Sequence, residues 1–292
     1  MKIMKSFLTV FLTFFLLFTP YGLGNEVKSI TFASWSKPDV DLFYVLPKEI
    51  NKDTKVLFII HGNSRGAERY LKLWISSSKN KNVILVAPHF SKKYFPRYSK
   101  LNMASASSKV NTNQDDWLTG SIASFYSFCK NKFQVDSNTY LMYGFSGGSQ
   151  FIHRYLMYGK DKAIEKAAIG SAGWYTFISF QPFPYGIKNM PLEPGRIEWL
   201  MSREVLFLLG DEDNDPEHSG LNRSNGAMNQ GLHRYERGYN YFKSLVRIGE
   251  RFEVPFRWRY KVVSGVDHDT KQMSEAAMSF ILEDLDYKNI DH

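Results

Sequence analysis

Residues 139–156, TYLMYGFSGGSQFIHRYL, pass from a strand-forming run directly into a helix-like pattern. Ser146 stands at the junction, with Gly144 two positions before it and Gly147 and Gly148 following. A chain that turns this sharply leaves no room for side chains two positions either side of the turn residue, and glycine removes the obstruction. The pattern G-x-S-x-G, set between strand and helix, therefore predicts a strand whose strand-forming run stops at Gly144, just before the serine. It predicts a serine lifted to the carboxyl edge of a sheet, and a helix whose first N–H groups point toward the same place.

The rest of the chain supplies that sheet. KVLFIIHGN (55–63), NVILVAPHF (82–90), TYLMYGFS (139–146), KAAIGSAG (166–173), EVLFLLGDED (204–213) and FRWRYKVVSG (256–265) read as strands. AERYLKLWISSS (67–78) reads as a helix with Ala67, Tyr70, Leu71, Trp74 and Ile75 on one face. Further helices are expected over 115–133, capped by Asp115 or Asp116, over 148–159 and over 270–285. Strand–helix alternation implies a parallel sheet covered on both faces. KSITFAS (28–34) and VDLFYVLP (40–47) alternate polar and apolar residues and suit an antiparallel pair at one edge. RWRYKVV suits the other edge, because lysine and arginine discourage pairing with a further strand. The aromatic, proline-rich stretch 173–200 breaks the alternation and reads as an irregular insertion, either a binding loop or a structural excursion.

The first two dozen residues read as an address. Lys2 and Lys5 precede a short apolar run (7–18), and Pro20, Gly22 and Gly24 follow it. This order predicts a signal peptide over 1–24 and an exported product, periplasmic or extracellular, formed by one domain over 25–292. The apolar run is short for a bilayer span, so no stable membrane span is expected after cleavage. Removing Lys2 and Lys5, with no acid before Glu26, lowers the net charge of +8 by two. The remaining excess reads as solvated lysine-rich faces, and no nucleic-acid motif accompanies it. Cys129 is the single cysteine, so no internal disulfide forms, and its apolar setting suits an inert buried thiol.

A serine hydroxyl is a poor nucleophile unless a base takes its proton. His268, in the loop between the last strand and the last helix, falls on the same sheet edge as Ser146. His61 reads as shaping the loop HGNSRG, and His89 as a candidate for the pocket wall. His153 reads as packed, His218 and His233 as members of a polar loop, and His292 as terminal. The base needs an acid to fix its tautomer, and the strand ending in GDEDNDP offers one. Asp213 is favoured, with Asp211, Glu212 and Asp215 as alternatives. The same run resembles a calcium loop, but Pro216 and Asn222 occupy the positions where that loop needs glycine and glutamate, so no metal is expected. Backbone N–H groups of Gly147 and of Asn63, or less favourably Ser64, would stabilise an oxyanion.

With HGNSRGAERY, GFSGG, GDEDNDP and GVDH in this order, the chain resembles the α/β-hydrolase superfamily over roughly residues 28–287. Within it, the chain is similar to secreted esterases of the polyhydroxyalkanoate-depolymerase-like and feruloyl-esterase-like kind. The resemblance implies an α/β-hydrolase fold, a mostly parallel sheet of about eight strands with helices on both faces. It implies a carboxylesterase working through Ser146, Asp213, His268 and an acyl-enzyme, with no cofactor, on a small-molecule or oligomeric ester. Depolymerases of this kind often carry disulfides or a substrate-binding module, and this chain has neither, which weighs against a crystalline polymer. Trp174, Tyr175 and Phe177, with Phe183 and Tyr185, are either an acyl or aryl pocket or core. A peptidase on the same fold and a catalytically inactive binding protein are the other readings; oligomeric state is left open.

Overall fold

The computed structural model describes residues 26–286. The expected signal peptide (1–24) and His292 lie outside the described residues.

Among the described residues eight strands form one sheet: β1 (Lys28–Phe32), β2 (Val40–Val45), β3 (Lys55–Ile60), β4 (Val83–His89), β5 (Tyr140–Phe145), β6 (Ile164–Gly170), β7 (Glu204–Gly210) and β8 (Trp258–Val263). Their spatial order is β1-β2-β4-β3-β5-β6-β7-β8. β1 and β2 pair antiparallel with each other, β2 pairs antiparallel with β4, and every other pairing is parallel. The alternating N-terminal pair thus forms one edge and the basic strand the other. This is the α/β-hydrolase fold.

Among the described residues seven α-helices accompany the sheet: α1 (Ala67–Ser78), α2 (Ser121–Phe133), α3 (Gly147–Tyr158), α4 (Arg196–Met201), α5 (Asn225–Met228), α6 (Arg234–Phe252) and α7 (Thr270–Ile281). Side chains on a strand alternate between the two faces, and β3 shows the consequence. Val56, Phe58 and Ile60 join a core with Phe125 of α2, Phe151 of α3 and Leu245 of α6. Leu57 and Ile59 join a second core with Trp74 of α1 and Ala277 of α7. Central β5 is buried along its whole length, which is why its sequence reads as a continuous apolar run rather than an alternating one.

Three local expectations are corrected. The helix expected from residue 115 starts at Ser121, with Gly120 as its N-cap. Two 3-10 turns, Gln114–Asp116 and Leu118–Gly120, precede it, because Trp117 is extended (φ −69°, ψ 143°) and interrupts the spiral. The 19-residue α6 is absent from the sequence reading; its surface is strongly polar, and Gly238 and Gly249 interrupt its apolar stripe. The last residues of the insertion, expected to be irregular to residue 200, form a short helix, α4, that runs to Met201.

Candidate active site

The loops at the carboxyl ends of β3, β5, β7 and β8 converge on Ser146. β5 ends at Phe145, and Ser146 takes φ 55° and ψ −114° before α3 begins at Gly147. The flanking glycines are required by contact. A Cβ on Gly144 would lie 2.6 Å from the Gly148 backbone, and one on Gly148 would lie 2.0 Å from the Ile60 carbonyl oxygen. The turn is tied down when the Ser146 N–H donates to the Gly170 carbonyl (2.9 Å).

His268 Nε2 lies 2.9 Å from Ser146 Oγ, and its Nδ1 lies 2.7 Å from Asp213 Oδ2. The Phe145 ring packs beside the imidazole at 4.6 Å between centroids. Of the acids after β7, Asp213 alone points at His268. Asp211 instead accepts from the Gly265 N–H (2.7 Å), while Glu212 and Asp215 are exposed. The two loops are laced together: the Glu212 N–H donates to Val266 O, and a Cβ on Gly210 would lie 2.2 Å from that same oxygen.

Asp213 has a second partner that sequence reading missed. Arg234, buried at the first turn of α6, donates through Nη1 to Asp213 Oδ1 (3.1 Å). The neighbouring Tyr235 N–H donates to the Asp213 carbonyl (3.1 Å), so the start of α6 holds this residue by backbone and side chain. Burial raises the Asp213 pKa, but hydrogen bonds and charge from His268 and Arg234 outweigh burial and hold it below the ordinary carboxylate value. Arg234 Nη2 also donates to His218 Nδ1 (3.1 Å), and the His218 and His268 rings stand 6.1 Å apart. No local signal marks Arg234, since its role depends on where a distant helix docks.

The loop after β3 lies against the start of α3. A Cβ on Gly147 would fall 2.7 Å from Asn63 Oδ1 and 3.0 Å from Asn63 N. As the first residue of α3, Gly147 has no intrahelical acceptor for its N–H, and Asn63 lies beside it. His61 shapes this loop: its Nδ1 donates to Gly62 O (2.9 Å), and its Nε2 accepts from the Phe90 N–H (3.1 Å). Burial drives its pKa down to about 3, so it is neutral and cannot serve as a second cationic group. His153 is likewise packed, between Ser149 O and the Thr176 N–H. His89 lies near His61 and Phe43 rather than in the lining of the serine cavity.

The cavity beside Ser146 has a volume of about 600 Å³. Trp174 forms part of its wall. Tyr175 and Phe177 do not. Tyr175 is fully buried and stacks on Tyr241 (4.5 Å), while Phe177 meets the edge of the same ring (5.3 Å). These two aromatics are drawn into the core beneath α6, leaving Trp174 as the one of the three at the cleft. Among the described residues no cluster of metal-ligating side chains occurs, and Cys129 is buried, with burial pushing its thiol pKa up to about 12.

No protein-family profile and no curated protein sequence matches this chain. Solved structures do. Poly(aspartic acid) hydrolase-1 from Sphingomonas sp. KT-1 superposes with a TM-score of 0.82 at 27% identity, covering 89% of this chain and 100% of that one. LpqC, a poly(3-hydroxybutyrate) depolymerase from Bordetella parapertussis, superposes at 0.80 with 25% identity, covering 88% of this chain and 89% of its own. FphF, a fluorophosphonate-binding serine hydrolase of Staphylococcus aureus, shares the fold at 0.56 and 16% identity, over 89% of this chain and 99% of that one. By its sheet order and by these likenesses, the chain has the α/β-hydrolase fold, and its structural neighbours are hydrolases of that type.

Proposed function

We propose that this protein is an exported serine hydrolase that cleaves carboxylic esters through an acyl-enzyme. The observation that carries this reading is the unbroken relay Ser146 Oγ–His268 Nε2 (2.9 Å) and His268 Nδ1–Asp213 Oδ2 (2.7 Å). His268 takes the Ser146 proton as Oγ attacks the ester carbonyl. The carbonyl oxygen becomes an oxyanion that accepts hydrogen bonds from the Gly147 and Asn63 N–H groups. His268 then gives its proton to the departing alkoxide, which leaves as alcohol. Water enters, loses a proton to His268 and attacks the acyl carbon. The tetrahedral adduct collapses, and the proton returns to Ser146 as the acid departs. Asp213 stays ionised throughout, aligning the ring and stabilising its charged form.

The neighbours named for ester and polymer hydrolysis support this reading. A second reading, cleavage of an amide, is favoured by one observation: the 27%-identical neighbour is named for hydrolysis of poly(aspartic acid). The N-terminal sequence supports export, and no helix among the described residues is long and apolar enough to cross a membrane.

The test is hydrolysis of a short-chain p-nitrophenyl ester together with labelling by a fluorophosphonate probe. Ser146→Ala is expected to lower the rate by roughly four orders of magnitude or more and to abolish labelling. An unchanged rate would reject Ser146 as nucleophile; folded wild type inert to both reagents would support a binding protein instead. Faster cleavage of an amide than of its matched ester would move the protein to the second reading.

A further inference from the structure

The wall of the serine cavity carries four cations, Arg65, Lys92, Arg97 and Lys100, besides Arg234, and no aspartate or glutamate. Among the described residues no salt bridge joins any of these four to a carboxylate. Arg65 donates to the carbonyls of Phe90 (2.7 Å) and Phe95 (3.1 Å), and Lys100 Nζ donates to Ser105 O (3.0 Å). Carbonyls orient these groups without neutralising them.

A further guanidinium stands behind the same wall. Arg154 is fully buried and lies 4.1 Å from the Trp174 ring; it donates to Ser99 O (2.7 Å) and Gln150 O (2.9 Å). Its Nη2 has no hydrogen-bond partner among the described residues. Ser99, Gln150 and Trp174 all line the cavity, so the buried charge is one layer from it. Burial, then Arg154 and Arg97, pull the Lys100 pKa down to about 8, which records both desolvation and mutual repulsion. The chain as a whole carries 29 acids against 37 basic residues, so an even spread of charge does not account for this wall. The acids of the neighbouring loop, Asp211, Glu212, Asp215 and Glu217, lie outside the lining. Cations of one sign in a concave, partly desolvated cleft focus their field on whatever enters it.

We propose that the cleft takes a carboxylate-bearing chain, whose anionic groups are held by Arg65, Lys92, Arg97 and Lys100 beside the bond presented to Ser146. This substrate class rests on the serine-hydrolase reading for its chemistry, but not for its binding.

Binding is therefore measured separately from turnover. A dye-labelled, end-blocked aspartate hexamer is titrated into Ser146→Ala protein by fluorescence anisotropy, beside a glycine–serine hexamer with the same dye. The aspartate hexamer is expected to bind at least about tenfold more tightly at low salt, and to lose most of that advantage as ionic strength rises toward about 0.5 M. The Arg97→Gln/Lys100→Gln pair is expected to weaken it about tenfold, and Lys92→Gln, at an exposed position, to weaken it less. In wild type, kcat/KM for p-nitrophenyl hemisuccinate is expected to exceed that for p-nitrophenyl butyrate, and the charge-removing pair to reduce this ratio. Equal binding of the two hexamers overturns the substrate class whether or not the enzyme is active, as does aspartate binding unchanged in both charge variants. A higher kcat/KM for the butyrate at low salt also overturns it. Selective aspartate binding by a protein inert to both esters and to the fluorophosphonate upholds the ligand class and rejects the hydrolase reading.

Discussion

Ser146 holds a backbone conformation (φ 55°, ψ −114°) that residues bearing a β-carbon avoid, at a cost of about 1–3 kcal/mol. Its neighbours leave no alternative, since β5 ends in a hydrogen-bonded ladder and α3 starts one residue later. Asp213 is the second residue whose setting is informative. Its folded pKa lies below the ordinary 3.8, so its contribution to stability is fully present above that value. The contribution is lost as pH falls from there through the depressed folded pKa. Urea unfolding measured between pH 6 and pH 2 is expected to show that loss in wild type and a shallower one in Asp213→Asn. The same variant is expected to lower kcat by about 10⁴ at neutral pH, because a neutral amide no longer selects the tautomer of His268. A pH profile of stability identical in the two proteins would contradict the assigned ionisation.

Among the elements, two glycines test how tightly helices approach the sheet. A Cβ on Gly148 meets the Ile60 backbone oxygen at 2.0 Å, which neither strand nor helix can yield to. A Cβ on Gly238 meets Leu209 Cδ2 at 2.4 Å, the end of a flexible side chain, and alanine also favours the helix. Gly148→Ala is expected to destabilise by about 2–3 kcal/mol or more, and Gly238→Ala by less than about 1 kcal/mol, read as urea midpoints at constant m. Equal losses would mean that the two approaches are equally rigid. α6 is also the element that sequence reading overlooked. Its N-cap is His233, whose Nδ1 accepts from the Glu236 N–H, rather than one of the short polar residues that usually signal a helix start. Its docking sets Arg234 against Asp213, so the missed helix and the missed site residue have one cause.

For the whole molecule, the sheet separates two cores that share every central strand. Trp74, on the α1 side, and Phe125, on the α2 side, are both fully buried. Each change to alanine is expected to cost about 3–5 kcal/mol. With the sheet between them the costs should add, and each variant should keep one unfolding transition detected alike by fluorescence and circular dichroism. Two separated transitions would argue against one cooperative domain over 25–292. Export is tested at the same scale: secreted protein analysed by mass spectrometry is expected to begin at or near Asn25, and retention of Met1 would contradict the signal-peptide reading.

The eight strands, the helices α1, α2, α3 and α7, the turn at Ser146 and the two sheet edges were legible in the amino-acid sequence, because each depends on periodicity or on glycine within a few residues. That same local information left the acid open among Asp211, Glu212, Asp213 and Asp215, and left Trp174, Tyr175 and Phe177 undivided between cleft and core. Only the tertiary structure separated them: the crossing of the loops after β7 and β8 turns Asp213 toward His268, and Tyr241 of α6 draws Tyr175 and Phe177 inward. The cationic wall is of the same kind. Lys92, Arg97 and Lys100 share one short stretch of sequence, but Arg65 and Arg154 lie far from it, and packing alone brings Arg65 to the same cavity wall and sets Arg154 behind it.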